Sequence, residues 1–173
     1  MIINVIDMVD GAGQSQKSYL KLAGDKHFVE LCSMSNGLVE MKNQILKTAA
    51  TKSIKVLRIL GHGGPGFQNV ALGKQDPRQT GYGSSSIMAS NLNSLIEIGP
   101  YFAPGARAEL RGCGVANDQG KMIRALANLW QVRVQASTLD EQMGLFHWSN
   151  VVEARPGTTK LIPVNPIPVE KGI

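Results

Sequence analysis

Lys55-Val56-Leu57-Arg58-Ile59-Leu60-Gly61-His62-Gly63-Gly64-Pro65-Gly66 is the stretch on which the reading of this chain turns. A mostly apolar, β-branched run that stops at a glycine cluster reads as a buried strand followed by a tight turn. The pattern returns at Ala106 to Arg111, where Ala108 and Leu110 share one face and the run ends in Gly112-Cys113-Gly114. Each strand therefore delivers one reactive side chain, His62 or Cys113, bracketed by residues without a Cβ. In open α/β sheets, ligands gather beyond the carboxyl ends of the strands. If these two strands are neighbours and parallel, imidazole and thiol emerge at one edge of the sheet.

Outward from this pair, Ile2 to Met8 reads as a first buried strand, followed by a flexible turn at Asp10-Gly11-Ala12-Gly13. His27 to Ser33 reads as a second strand. Leu38, Met41, Ile45 and Ala49 recur at three or four residues, which predicts an amphipathic helix from Asn36 to Lys52, capped by Ser35 or Asn36. After the glycine cluster, a short strand is expected at Asn69 to Leu72 and a polar surface loop from Lys74 to Ser86, including Gly81-Tyr82-Gly83. A helix capped within Ser84 to Ser86 is expected to carry Ile87, Met88, Leu92, Leu95 and Ile96 and to stop near Gly99-Pro100. Asp118 to Trp130 has a wide apolar helical face, and Val132 to Ala136 follows as a strand closed by Ser137-Thr138. A last strand pair is expected around Phe146 to Ala154 and Lys160 to Val164, with residues 155–173 largely an extended tail containing Pro163, Pro166 and Pro168.

Strands alternating with helices predict an α/β fold: a mostly parallel sheet flanked by helices, because parallel neighbours require crossover connections. At 173 residues the chain is one domain by length, able to bury roughly 68 to 70% of its unfolded surface without metal or disulfide support. No repeat, linker or low-complexity segment divides it. With 43% hydrophobic and 18% charged residues it is neither disordered nor fibrous. No run of 18 apolar residues and no basic leader is visible, so neither membrane nor secretion signal is read, and the expected location is cytoplasmic, or exported without a signal peptide of the usual kind. The net charge of +5 is scattered and not interleaved with aromatics, which argues against nucleic acid as a partner.

Chemistry concentrates on Cys113. A nucleophilic thiolate needs a nearby imidazole, a positive potential and partial exposure. His62 is the candidate imidazole, and a helix N-terminus near Asn117 is the expected source of potential. The backbone N–H groups of Gly63 and Cys113 are candidate donors to a developing oxyanion. Cys32, among Phe28, Val29 and Leu31, is expected in the core, and two cysteines make no disulfide framework. No second ligand lies at metal spacing from His62, and the glycine cluster lacks both the Gly-Lys-Ser/Thr ending of a phosphate loop and dinucleotide spacing, so neither metal nor cofactor is expected. His27 and His147 read as surface or structural residues, with His147 the fallback base should His62 be remote. Trp130 and Trp148 read as core or rim packing.

Gly61-His62-Gly63 after one strand and Gly112-Cys113 after another, 51 positions on, resemble the caspase-like cysteine peptidases of clan CD, whose caspases place the histidine about 50 residues before the cysteine. Gly61-His62-Gly63-Gly64-Pro65-Gly66, Pro104-Gly105-Ala106, Gly112-Cys113-Gly114-Val115-Ala116, Gly120, Leu126-Ala127 and Val134-Gln135-Ala136-Ser137-Thr138 are similar to a bacterial branch of that clan found within large surface or secreted proteins. The likeness spans residues 54–154. It implies a single caspase-hemoglobinase-like domain over residues 1–173, a three-layer sandwich. It further implies a Cys113 nucleophile, a His62 proton donor to the leaving amine, and a protein or peptide substrate. By the same likeness Ser137, Thr138 and Asp140 line the pocket for the residue before the cleaved bond, and Asp140 with Glu141 favours Lys or Arg there. The caspase signature Gln-Ala-Cys-x-Gly is replaced by Arg111-Gly112-Cys113-Gly114, which argues against caspase-type Asp specificity. A bacterial effector or toxin with an inhibitor or immunity partner is one implied setting, and a fragment of a longer protein another. The contrasting expectation is a non-catalytic caspase-like interaction module, and a weaker one a phosphate-binding α/β domain.

Overall fold

The structure is a computed structural model that describes residues 1–9, 11–139 and 150–164. Its centre is a seven-stranded sheet of order β10-β9-β8-β7-β3-β1-β2. The strands are β1 (Ile2–Asp7), β2 (His27–Leu31), β3 (Ile54–Leu60), β7 (Phe102–Leu110), β8 (Arg133–Ser137), β9 (Val151–Ala154) and β10 (Ile162–Val164). From β2 to β8 all neighbours are parallel, and β9 and β10 close the far edge antiparallel. Helices α1 (Ala12–Leu22), α2 (Gly37–Thr48) and α4 (Lys121–Trp130) flank the sheet, with a short α3 (Pro77–Thr80) in the long loop. A 3₁₀ helix spans Leu92–Tyr101. Beyond β3, three short strands, β4 (Gly63–Gly64), β5 (Phe67–Asn69) and β6 (Ser86–Met88), form a separate antiparallel sheet. No helix among the described residues is long and apolar enough to cross a membrane.

The two faces of the main sheet differ in chemistry. Leu57 and Ile59 of β3, Ala108 and Leu110 of β7 and Val134 and Ala136 of β8 belong to one large apolar core together with α2, the 3₁₀ helix and α4. Trp130 anchors this layer: its indole is buried, donates to the Leu95 carbonyl at 2.8 Å and lies 5.5 Å from the Phe102 ring. The other face has a small apolar cluster of Ile6, Leu20 and Leu60 under α1. Beside it runs a buried polar row in cross-strand register: Asn4, Arg58, Glu109, Gln135 and Glu153. Glu109 accepts from Arg58 Nε at 3.1 Å, Arg107 Nε at 2.9 Å and Arg111 Nη2 at 2.7 Å. Arg58 also reaches Asp25 at 2.9 Å. Burial pushes the Glu109 carboxyl up, but the guanidiniums of Arg111, Arg58 and Arg107 outweigh it and hold the group below its ordinary range.

Several elements differ from the sequence reading, each for a visible reason. Helix α1 replaces an expected turn because its buried side is Gly13, Gln16 and Leu20, which carries almost no apolar periodicity. Ile87 and Met88 lie in β6, paired with Gln68 and Phe67, and not in the following helix. Asn91 ends that strand by accepting from Met88 N and donating to the Ser86 carbonyl. The helix that follows buries Leu92, Leu95 and Ile98, the three-residue period of a 3₁₀ helix, and leaves Ile96 exposed. Phe146, His147, Trp148 and the tail beyond Val164 lie outside the described residues.

Removing one partner from a buried charge cluster leaves the others uncompensated, at a cost of about 3–5 kcal/mol. Glu109→Gln is therefore expected to lower unfolding stability by about that amount at pH 7 in urea titrations. A depressed carboxyl contributes stability that is present above its unfolded pKa and lost as pH falls through the folded one. Wild type should thus lose its advantage over Glu109→Gln below about pH 4.3. An advantage that holds unchanged into that acid range, or equal stability at pH 7, would contradict the assignment.

Candidate active site

The register of β3 on β7 pairs Val56 with Arg107, Leu57 with Ala108, Arg58 with Glu109 and Ile59 with Leu110. Ile54 pairs with Phe102 before a register shift, and from Val56 to the strand end every pair differs by 51 positions, the same spacing that separates His62 from Cys113. The ladder continues past the strand end, since Arg111 N donates to the Ile59 carbonyl at 2.9 Å. Adjacent strands lie about 4.8 Å apart. His62 and Cys113 therefore sit three residues beyond an in-register pair, at matching places in the loops that follow neighbouring strands. Both are half-buried.

Beyond the strands the two backbones meet. A Cβ built on Gly112 would lie 2.8 Å from Gly63 Cα and 2.9 Å from Gly63 N, and one on Gly63 would lie 3.0 Å from Gly112 Cα. Only glycine at both positions permits this approach. The His62 loop is shaped by the β4–β5 hairpin, in which Asn69 N donates to the His62 carbonyl at 2.8 Å. In an antiparallel ladder bonded and non-bonded pairs alternate. The next pair, Gly63 with Gln68, is therefore non-bonded, and the Gly63 N–H faces away from β5. Asp7, at the end of β1, braces the following loop by accepting from Leu72 N at 2.9 Å and Gly73 N at 2.8 Å.

Gln68, which the sequence reading passed over, ties the two loops together. Its side-chain oxygen accepts from Gly112 N at 2.8 Å, while its nitrogen lies 2.9 Å from the Asn69 carbonyl, 3.3 Å from that of Gly61 and 3.4 Å from that of His62. The residue is fully buried. Nothing in a polar residue between Phe67 and Asn69 marks this role in one dimension, because its partners come from two distant segments.

The end of β8 borders the cysteine loop. Gly114 N donates to the Leu139 carbonyl at 2.8 Å and Ala116 N to that of Ser137 at 2.9 Å. Ser137 is buried, with its hydroxyl 3.2 Å from Leu139 N, while Thr138 is half-buried and donates to the Asn150 carbonyl. Leu139, not among the expected site residues, is the exposed side chain here. Asp140 and Glu141 lie outside the described residues.

Two expectations about the thiols change. No helix N-terminus follows near Asn117: residues 113–120 form turns, Gln119 and Gly120 both take positive φ (64° and 69°), and α4 begins only at Lys121. Cys32 is exposed, one residue beyond the last strand residue Leu31, and is not in the core. Among the described residues no cluster of three or more His, Cys, Asp or Glu could hold a metal. A hollow of about 400 Å³ lined by Lys52, Phe102, Pro104, Trp130 and Arg133 opens at the other end of β7 from Cys113. No cysteine, serine, threonine or histidine among the described residues lines it. Comparisons with protein-family models, with curated proteins and with solved structures give no match.

Overpacking a tight contact costs typically about 1–3 kcal/mol. Gly63→Ala and Gly112→Ala are each expected to destabilise by about that much in urea unfolding, because the first Cβ would also meet Val115 Cγ2 at 2.6 Å and the second Gln68 Oε1 at 2.7 Å. Neutral single variants would contradict the close packing of the two loops.

Proposed function

We propose that this chain is a cysteine endopeptidase of the caspase-like clan, acting through a Cys113–His62 dyad. The observation that carries the reading is the 51-residue offset shared by the β3–β7 register from Val56 onward and by the two reactive residues. The mostly parallel sheet flanked by helices supports the caspase-hemoglobinase-like architecture as the fold of this reading.

In the proposed reaction the Cys113 sulfur, as thiolate, adds to the scissile carbonyl and the carbonyl electron pair moves onto oxygen. The N–H groups of Gly63 and Cys113 hold that oxyanion, an interaction typically worth about 2.7–4 kcal/mol of barrier per donor. Collapse of the intermediate breaks the C–N bond, and protonated His62 gives its proton to the departing amine. Neutral His62 then takes a proton from water as the oxygen attacks the thioester, releasing the carboxylic acid product and regenerating the thiolate–imidazolium pair. The substrate flank is the Ser137–Leu139 segment beside the cysteine loop. The acidic pair Asp140-Glu141 that follows it is complementary in charge to a Lys or Arg side chain before the cleaved bond.

Cys113→Ala and His62→Ala are each expected to abolish cleavage of a proteome-derived peptide library while leaving thermal unfolding within a few degrees of wild type. Wild type is expected to cut after Lys or Arg. Retained cleavage in either variant refutes the dyad, and a wild type that cuts nothing under any condition favours a non-catalytic interaction module.

A further inference from the structure

Gln68 places its one carboxamide between the two peptide units that flank His62 and the Arg111–Gly112 peptide one unit before Cys113. We propose that it is a positioning residue for the dyad, setting the separation of the His62 and Cys113 loops and the aim of the Gly63 N–H at the oxyanion. The inference rests on the peptidase reading given above.

The chemistry of the site requires an amide. One side must accept from Gly112 N and the other must donate to carbonyls, at 2.8 Å from Gly112 N and 2.9 Å from the Asn69 carbonyl. Glutamine offers an acceptor and two donors on one rigid plane, and these partners fix which way the plane faces. Reversed, it would set N–H against N–H and oxygen against oxygen. Its position is equally constrained, since it is fully buried and its strand is held on both sides by β4 and β6.

The link to catalysis runs through a peptide plane. The His62 carbonyl and the Gly63 N–H belong to one planar, trans unit, so they point in opposite directions. Asn69 N holds the oxygen end of that unit at 2.8 Å and the Gln68 amide nitrogen lies 3.4 Å from it. Gripping that end sets the direction of the N–H end, the donor assigned to the oxyanion. At its other pole the amide holds Gly112, the residue that leads into Cys113, and Gly112 is in backbone contact with Gly63. Loosening the amide therefore frees both walls of the proposed site at once, without removing any group that touches substrate.

The test uses the full chain and a peptide that wild type cleaves. Gln68→Met keeps the volume and deletes both polar poles. Losing the aim of one oxyanion donor is worth about 100-fold in kcat, so kcat is expected to fall by about that factor with KM within about threefold. Gln68→Glu supplies the second readout and stands in if the methionine variant does not fold. An ionised carboxylate opposes the carbonyls of Gly61 and Asn69, whereas a protonated one can accept from Gly112 N and donate to a carbonyl. The activity of Gln68→Glu relative to wild type is therefore expected to rise as pH falls. Asp7, His62, Cys113 and Asp118 on the surrounding segments are present in both proteins, so the comparison isolates the change at position 68 and its effect on these neighbours. A Gln68→Met kcat equal to wild type, a loss that tracks only the unfolded fraction, or a Gln68→Glu ratio flat in pH overturns the proposal and leaves the peptidase reading intact. A wild type without Cys113-dependent cleavage removes both.

Discussion

Gly63 and Gly112 touch backbone to backbone, and the rest of the candidate site hangs on that contact. It exists because β3 and β7 are parallel neighbours and because neither loop carries a Cβ where they meet. The register shifts once, between Ile54 and Val56, and from Val56 to the strand ends one constant offset is carried into the loops beyond them. The offset equals the distance in sequence between histidine and cysteine. Slip one strand by one residue and the two candidate positions would separate along the edge, with one side chain turned to the opposite face.

That register is held from both sides of the sheet by different physics. On one face, apolar side chains from β3, β7 and β8 interdigitate with α2, the 3₁₀ helix and α4, which gives cohesion but little directional preference. On the other, Arg58 of β3 and Glu109 of β7 are opposite each other and bonded, with Arg107 and Arg111 converging on the same carboxylate. A slip of β7 on β3 would bury these charges unpaired, so the ionic row selects one alignment that the apolar face alone tolerates loosely. The cysteine lies two residues beyond Arg111, so the charge cluster and the site share one strand. The polar loops are then pinned individually, by the Asp7 carboxylate on one side and the Gln68 amide between them.

What could be read in one dimension and what could not follows from how far each signal reaches. The apolar runs ending at Gly61 and Gly112 announce buried strands, and the strands stand where those runs do because hydrophobic burial is encoded locally. The α2 stripe of Leu38, Met41 and Ile45 is likewise complete within its own segment. Helix α1 escaped because its inner side is Gly13, Gln16 and Leu20, where close approach and a polar contact replace apolar periodicity. The β4–β5–β6 sheet escaped because its strands are two or three residues long and β5 finds its β6 partner across the long loop, Phe67 pairing with Met88. Arg58 and Glu109 read as polar interruptions of apolar strands, and Gln68 as an incidental amide, until the third dimension supplies their partners. Cys32 misled for the opposite reason: its neighbours Val29 and Leu31 are buried, but it begins the loop where the strand has already ended.

The molecule contains its own control for the central claim, since Cys32 is exposed and Cys113 only half so. The direct measurement is site-resolved labelling of the native chain by a peptidyl acyloxymethyl ketone with Lys in the first position, followed by peptide mapping. A dyad in a substrate cleft predicts stoichiometric modification of Cys113, little of Cys32, and loss of the Cys113 adduct in His62→Ala. Labelling that follows exposure, with Cys32 modified first and Cys113 indifferent to His62, would contradict the account.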